Sequence, residues 1–340
     1  MLLLYYRENF PASILPPAWA GPKTAEEAKQ MFYTSLERTG AGYFDFYLLH
    51  NCGDTRTDAF DRFGIWDFAL SLKEQGLIKH VGFSFHDKAE VLDDLLNKHP
   101  QMEFVQPQIN YADWESDSVQ SKKCLEVAAK HGKPVIITEP IKGGLLANPP
   151  KAVVQELAAA DRSLSPAAWA LHFAASQPGL ITVLGGMSTL EQVKQNIQTM
   201  STFQPLDDKG FAAIERARAA LNAIPSLPCT SCQYCVKGCP MSIPIPSIFS
   251  AMNTNLIYDN LQSAKGSYRF ATRDGNLAST CIACGQWRIC LPTAHRDDSP
   301  VTGLCRYLGG LTPPMDLHKK RTDFPYAFSL LRCVHKPPDW

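Results

Sequence analysis

The segment Ile78-Lys-His-Val-Gly-Phe-Ser-Phe85 decides the fold, because it is a strand-length apolar run that directly follows a helical stretch. That helical stretch covers residues 66–75 and is ended by Gly76. The same order of helix, stop and strand recurs from position 24 to 201. Consecutive strands that are joined through helices lie parallel in one sheet, so the alternation predicts an α/β fold.

Five strands and the helices between them are predicted from hydrophobic periodicity. The strands cover residues 43–49, 78–85, 104–110, 134–139 and 181–184. The helices cover residues 25–37, 66–75, 88–98, 119–131, 165–175 and 189–200. Either a doubly wound sheet or a β/α barrel has this order of elements. The pattern Gly-x-Gly-x-x-Gly after a strand, typical of doubly wound dinucleotide folds, is absent from the sequence, which favours the barrel.

The composition favours a small molecule or an electron carrier as the partner. The 340 residues, 45% of them hydrophobic and 19% charged, are enough for one large core and one small module. A formal net charge of zero argues against nucleic acid or an anionic membrane surface as partner. No apolar stretch reaches transmembrane length, and the apolar run at residues 1–6 is too short for a signal peptide. We therefore expect a cytoplasmic protein.

Cysteines near the C-terminus are spaced as metal ligands. Residues 229–240 have the spacing C-x-x-C-x-x-C-x-x-x-C-P, by which bacterial ferredoxins hold iron–sulfur clusters, and a second C-x-x-C pair begins at Cys281. Reduced thiols at this spacing suit the cytosol. The sequence predicts one or two 4Fe-4S clusters, and a zinc site is the alternative, since C-x-x-C pairs also bind zinc. The expected ligands are Cys229, Cys232, Cys235, Cys239, Cys281 and Cys284.

The second cysteine motif breaks after Cys284. Trp287 stands where the next ligand is expected, and Leu291 stands where the final cysteine is expected, with Cys290 one place early. One extra G in a cysteine codon would produce Trp287, and its removal lets the following residues be re-read with Cys-Pro in register. We therefore expect a frameshift near Trp287 and an out-of-frame sequence beyond it. At most one stable cluster is then expected in this chain.

Several segments, taken in order, resemble the aldo/keto reductases, in particular the bacterial branch with a C-terminal ferredoxin-like extension. They are Tyr47-Leu-Leu-His-Asn51, Gly82-Phe-Ser-Phe-His-Asp87, Gln108-Ile-Asn-Tyr111, Glu139-Pro-Ile-Lys-Gly-Gly-Leu145 and residues 185–196. The resemblance covers roughly residues 20–286 and implies a (β/α)8 TIM barrel with its active site at the carboxyl ends of the strands. It also implies hydride transfer between NADP or NAD and a small-molecule carbonyl or alcohol substrate.

The resemblance implies an incomplete barrel. The five predicted strands would be the fourth to the eighth, so we expect an N-terminally truncated barrel whose first strands are missing. Of the family's catalytic Asp, Tyr, Lys and His, only the histidine is matched, by His50, and Ile14 takes the place of the lysine. His50 would hydrogen-bond the substrate carbonyl oxygen. A histidine that only caps a strand is the alternative.

The resemblance also implies a set of cofactor-binding residues near the ends of the later strands. One group would contact the nicotinamide, a second would bind phosphate at a helix N-terminus, and a third would face the adenosine. Turn-forming roles and a solvated helix face are the alternatives. In order, the groups are Ser84, Gln108, Asn110 and Lys142; Gly186, Ser188 and Thr189; and Gln192 and Asn196.

The expected organisation follows from these motifs. It is a partial aldo/keto reductase barrel over 1–204, a linker with a helix over 205–228, a ferredoxin-like 4Fe-4S module over 229–295, and an out-of-frame or disordered tail over 296–340. The expected function is NAD(P)H-linked carbonyl or alcohol redox coupled to 4Fe-4S electron transfer, with an electron-carrier protein as a further partner. One alternative is a non-catalytic electron-transfer protein with a degenerate barrel, and another is a zinc-stapled binding module.

Overall fold

The computed structural model describes residues 22–284 except for 55, 228, 230, 232 and 283. Within this range the chain divides into two compact units, with the boundary between Leu221 and Asn222. Ile14, Cys232 and Trp287 lie outside the described residues, as does the whole predicted tail.

The first unit is built on a parallel sheet of five strands in the order in which they follow along the chain. The strands are β1 (Phe44–Cys52), β2 (Ile78–Phe85), β3 (Phe104–Pro107), β4 (Val135–Ile137) and β5 (Leu180–Val183). A doubly wound sheet reverses its strand order at a switch point, whereas strands in chain order wind in one direction, as in a β/α barrel. The predicted α/β fold with a parallel sheet is confirmed.

Helices follow or precede each strand, and local capping explains where several begin. Thr24 Oγ1 accepts a hydrogen bond from Glu27 N at 3.2 Å at the start of the first helix, and Gly40 ends it at a φ of 62°. None of the helices in the described range is long and apolar enough to cross a bilayer. The helices of the first unit are α1 (Ala25–Thr39), α2 (Asp58–Arg62), α3 (Ile65–Glu74), α4 (Ala89–Lys98), α5 (Ser121–Lys130), α6 (Lys151–Ala160), α7 (Pro166–Ala175), α8 (Leu190–Ser201) and α9 (Asp208–Asn222).

Two faces of the sheet are covered by different apolar groups. On one face, Phe32 of α1 packs edge-to-face on Phe44 and Tyr47 of β1, with ring centroids 5.7 and 5.1 Å apart. A separate cluster joins Leu48, Phe104 and Ile136 from β1, β3 and β4. Burial of side chains from both faces of the strands is the pattern of parallel sheets.

Gly82 allows β2 to approach β3 closely. It pairs with Phe104, and a Cβ atom at position 82 would collide with the carbonyl oxygen of Phe104 and lie 2.7 Å from its ring. The atoms that a side chain at position 82 would meet belong to the backbone and to a buried ring, and neither can move aside. Any side chain here would therefore force the strands apart. The glycine therefore fixes the spacing on which the β2–β3 pairing depends.

The second unit, within its described residues, is helical. Its helices are α10 (Tyr234–Lys237), α11 (Ile245–Tyr258) and α12 (Leu261–Ala271). α11 and α12 are separated at Asp259, which adopts a φ of 50°, and Asn260 caps α12 by accepting from Ser263 N at 2.9 Å. Asx capping explains the break, because Asp and Asn side chains compete with the helical hydrogen bonds. Apolar residues of α11 and α12 form the core of this unit.

Candidate functional site

The residues that the sequence singles out lie at one edge of the sheet. Because the strands are parallel, their carboxyl ends meet at the same edge, where open α/β sheets and barrels bind their ligands. His50 lies near the end of β1, and Ser84 lies near the end of β2. Gln108 follows β3 and Lys142 follows β4. This carboxyl edge is the candidate site.

Ser84 fixes the end of β1 rather than facing open space. The residue is fully buried, and its Oγ accepts a hydrogen bond from the backbone N–H of Asn51 at 2.6 Å. Asn51 has a φ of 63°, a left-handed conformation that a non-glycine residue adopts at some cost. The Ser84 hydroxyl therefore stabilises the backbone immediately after His50.

Arg56 and Asp87 tie together the loops that follow β1 and β2. Arg56 Nη2 donates to the carbonyl of His86 at 2.7 Å, and its Nε donates to the carbonyl of Asn51 at 3.2 Å. Asp87 Oδ2 accepts from Arg56 Nη2 at 3.3 Å and from Asp54 N at 3.1 Å. Neither Arg56 nor Asp87 is predicted from the sequence as a site residue, since charged loop residues give no periodic signal.

Two histidines lie at this edge, and both remain partly exposed to solvent. Partial loss of hydration lowers the pKa of His50 below its ordinary value of 6.5. Partial loss of hydration is also the main cause that lowers the pKa of His86 to about 4, followed by repulsion from the protonated form of His50 and from Arg56. A neutral imidazole carries one N–H donor and one acceptor nitrogen, so at neutral pH either ring can hydrogen-bond a substrate oxygen.

A buried carboxylate organises the ends of β3 and β4. Asp113 is 6% exposed, and both of its oxygens lie 2.6 Å from Lys142 Nζ. Asp113 Oδ2 also accepts from Asn110 Nδ2 at 3.0 Å and from Gln108 Nε2 at 3.3 Å. Asn110 is itself fully buried and donates to the carbonyl of Glu139 at 3.2 Å. Three side chains from two strand ends are thus joined around one carboxylate.

Asp113 is the main site residue that the sequence analysis misses. Its signal is present but weak: it stands three residues after Asn110, a spacing at which an Asx side chain closes a turn. In the structure Asn110 Oδ1 accepts from Asp113 N at 2.9 Å. Lys142, which the resemblance assigns to the nicotinamide, forms an ion pair with Asp113 and has a φ of 49°.

The backbone N–H groups at the N-terminus of α8 are hydrogen-bonded by side chains of the same segment. Gln192 Oε1 accepts from Ser188 N at 2.7 Å and from Thr189 N at 3.2 Å, while Thr189 Oγ1 accepts from Gln192 N at 3.2 Å. This is a capping box. Gly186 stands in open space, whereas Asn196 is buried. A phosphate at this helix would therefore compete with Gln192 for the backbone donors.

A small cavity lies beside the paired ends of β2 and β3. Its volume is about 60 Å³, which suits a few water molecules and not a dinucleotide. The lining residues are Phe85, His86, Asp87, Pro107, Gln108, Ser118, Val119 and Cys124.

Three of the described cysteines, drawn from both motifs, pack against one apolar core in the second unit. Cys235, Cys239 and Cys281 are half-buried against it, whereas Cys229 and Cys284 are exposed. Cys229 Sγ accepts from Ser231 N at 3.4 Å, and Cys239 Sγ accepts from Ile243 N at 3.5 Å. Among the described residues no three His, Cys, Asp or Glu side chains converge as a metal site.

Comparisons with known proteins identify relatives of the first unit. The profile of the Aldo/keto reductase family matches residues 14–219. A protein named aldo-keto reductase from Mycolicibacterium vanbaalenii is 29% identical over 177 residues, which are 51% of this chain and 57% of that protein. The chain thus spans little more than half the length of this curated relative.

Solved structures of the same kind are similar at low identity. The holo form of aldo-keto reductase AKR11C1 from Bacillus halodurans has a TM-score of 0.47 and 22% identity, covering 59% of this chain and 68% of that one. The glycerol dehydrogenase AKR11B4 from Gluconobacter oxydans has a TM-score of 0.48 and 20% identity, covering 62% of this chain and 68% of that one.

We predict that His86 makes stability depend on pH. Between about pH 6.5 and pH 4, His86 stays neutral in the folded protein, where its pKa is about 4, but takes up a proton in the unfolded chain. Its contribution to the free energy of unfolding is therefore present above about pH 6.5 and is lost as the pH falls towards 4. Urea unfolding at pH 7 and pH 5 should show a smaller acid loss in His86→Gln than in wild type. His80→Gln, at an exposed histidine of β2, is the matched control. An equal acid loss in His86→Gln and wild type would contradict the assignment.

Proposed function

Because the chain belongs to the aldo/keto reductase family, we propose that its first unit binds NADP or NAD and exchanges hydride with a small-molecule carbonyl or alcohol. Members of this family are NAD(P)-dependent oxidoreductases. The observation that carries the proposal is the gathering of His50, Gln108 and the Asp113–Lys142 pair at the carboxyl edge of one parallel sheet.

The residues at this edge fit a nicotinamide carboxamide. Gln108 is half-buried, and its Nε2 is bound to Asp113, which leaves Oε1 available as an acceptor for the carboxamide N–H. Ser84 and Asn110 are fully buried and bonded to backbone groups, so we assign them a supporting role instead of direct contact. Gly186, Ser188 and Thr189 would bind the phosphates once Gln192 releases the backbone N–H groups that it holds, and Gln192 and Asn196 would face the adenosine.

His50 is the residue that we propose to act on the substrate. When bound, the nicotinamide supplies or accepts the hydride. The neutral imidazole of His50 donates a hydrogen bond to the substrate carbonyl oxygen, and this interaction strengthens as negative charge develops on the oxygen. Ser84 holds the backbone after His50 through Asn51, and Arg56 holds the loop that follows. The backbone that carries the imidazole is therefore fixed in position.

We further propose that the second unit binds a 4Fe-4S cluster. The support is the ligand spacing, the packing of both motifs on one core, and backbone N–H groups that donate to Cys229 Sγ and Cys239 Sγ, as they do around bound clusters. Cysteines 229, 232 and 235 would hold this cluster, and Cys239 would join Cys281 and Cys284 at a second. The cluster would exchange electrons with a carrier protein, and its thiols need the reducing cytosol. The frameshift near Trp287 remains a prediction.

One observation favours a second candidate function. Ile14 stands where the resemblance places the catalytic lysine, and an aliphatic side chain cannot transfer or stabilise a proton. A chain of this kind would be an electron-transfer protein in which the barrel binds a nicotinamide or a partner without turnover. Activity of wild type decides between the two.

We predict that His50→Asn lowers kcat/KM for NADPH-dependent reduction of aldehydes and ketones by about 100-fold or more, because general acid–base groups contribute on this scale. NADPH affinity, measured by fluorescence quenching, should stay within about twofold of wild type, since the imidazole acts on the substrate. His80→Asn is the matched control and should retain wild-type activity. Absence of turnover in wild type that binds NADPH would favour the electron-transfer candidate, and unchanged activity in His50→Asn would exclude His50 from the reaction.

We predict that full-length protein purified without oxygen contains about four iron atoms and four labile sulfides per chain. Cys235→Ser should remove the iron, because it deletes a ligand of the first cluster. Cys124→Ser, at a buried cysteine of the first unit, should retain it. Colourless protein with bound zinc would support the zinc alternative, and about eight iron atoms would show that the second motif is functional as written.

A further inference from the structure

We propose that Asp113 is a positioning residue that sets the amide orientation of Gln108, and so makes the site select a carboxamide over a carboxylate on the cofactor ring. This inference rests on the proposed function, because it concerns the same cofactor. Asp113 is not among the site residues that the sequence motifs or the family resemblance predict.

The orientation of Gln108 follows from the chemistry of its partner. A carboxylate has only acceptor atoms, so the group that Gln108 places 3.3 Å from Asp113 Oδ2 is its NH2. The amide oxygen must then point to the opposite side. The backbone of Gln108 is also fixed, since it forms a parallel bridge with Thr138 and its carbonyl accepts from Ser121 Oγ at 2.8 Å. A half-turn of the amide would exchange its NH2 and its oxygen, and the hydrogen bond to Asp113 opposes that rotation.

Asp113 is held firmly enough to impose this choice. A carboxylate that is 6% exposed must be paired to remain charged, and Lys142 Nζ lies 2.6 Å from both oxygens. Asn110 Nδ2 donates to Asp113 Oδ2, and Asn110 Oδ1 accepts from the backbone N–H of Asp113. Lys142 in turn sits in a backbone with left-handed residues at 139 and 142. Such strained positions persist where the surrounding contacts define them.

The free oxygen of Gln108 makes the site selective. A carboxamide donates an N–H to this oxygen, whereas the carboxylate of a nicotinic acid ring would place an acceptor against an acceptor. An unmade hydrogen bond to a buried polar group disfavours the wrong ligand by about tenfold or more. Without Asp113 the Gln108 amide can turn by half a rotation and donate to the carboxylate, so the selectivity should fall.

The test compares the Kd of NADH with that of reduced nicotinic acid adenine dinucleotide, by fluorescence quenching on the full chain. We expect wild type to bind NADH about tenfold or more tightly, and Asp113→Asn, whose amide offers both a donor and an acceptor, to lower this ratio severalfold. The double variant Asp113→Leu with Lys142→Met removes both charges together, a change that proteins often tolerate, and should bring the ratio close to one. Asp117→Asn, on an exposed aspartate of the same loop, is the control and should keep the wild-type ratio.

The outcomes separate this inference from the proposed function. Wild type that binds neither NADH nor NADPH contradicts the proposed function and the inference with it. Wild type that binds NADH but does not distinguish the two rings, or folded variants that keep the wild-type ratio, overturn the inference and leave the proposed function standing. Thermal unfolding of each variant shows that the ratio is measured on folded protein.

Discussion

Parallel pairing of β1 to β5 in chain order is the constraint on which the rest of the first unit depends. Each strand satisfies its backbone groups through its neighbours, and the helices between strands return the chain to the same starting edge. Residues far apart in sequence, such as His50 and Lys142, therefore reach one carboxyl edge. The pairing is itself sensitive to side-chain volume, because β2 and β3 approach closely only where position 82 is glycine.

At that edge most polar groups bind one another before any ligand arrives. Ser84 holds the turn after His50, Asn110 and Lys142 surround Asp113, and Arg56 joins two loops. Burial makes these bonds necessary, since a buried carboxylate or amide without a partner is costly. The amide oxygen of Gln108 and the imidazole of His50 are left for a ligand, so the geometry of the site is set mainly by residues that would not touch the substrate.

Apolar periodicity predicts the strands and most helices of the first unit, and its limits are physical. β2 is predicted at its observed bounds, whereas β4 is shorter than the apolar run that predicts it, because Pro134 and the left-handed Glu139 flank the paired residues. α2 and α6 are missed, although Val153 and Leu157 of α6 are buried at helical spacing. The break between α11 and α12 depends on an Asx cap that periodicity does not register.

The candidate site likewise contains residues that the sequence predicts and residues that it does not. The family resemblance predicts positions at strand ends, such as His50 and Gln108, because they lie within the segments that match the family's pattern. Asp113 and Arg56 are not predicted, because their roles depend on which loops the fold brings together. Thr189 and Gln192 differ again. Both lie at the predicted helix N-terminus, but each side chain accepts a hydrogen bond from the backbone N–H of the other residue, in a capping box.

Hydrogen exchange of the full chain, with and without NADPH and NADH, tests the central claim most directly. The account predicts slower exchange of backbone amides in residues 50–54, 84–87, 108–113, 138–145 and 185–192, since these segments form the carboxyl edge where the cofactor would lie. Protection confined to residues 222–284, or no protection with either cofactor at saturating concentration, would contradict it.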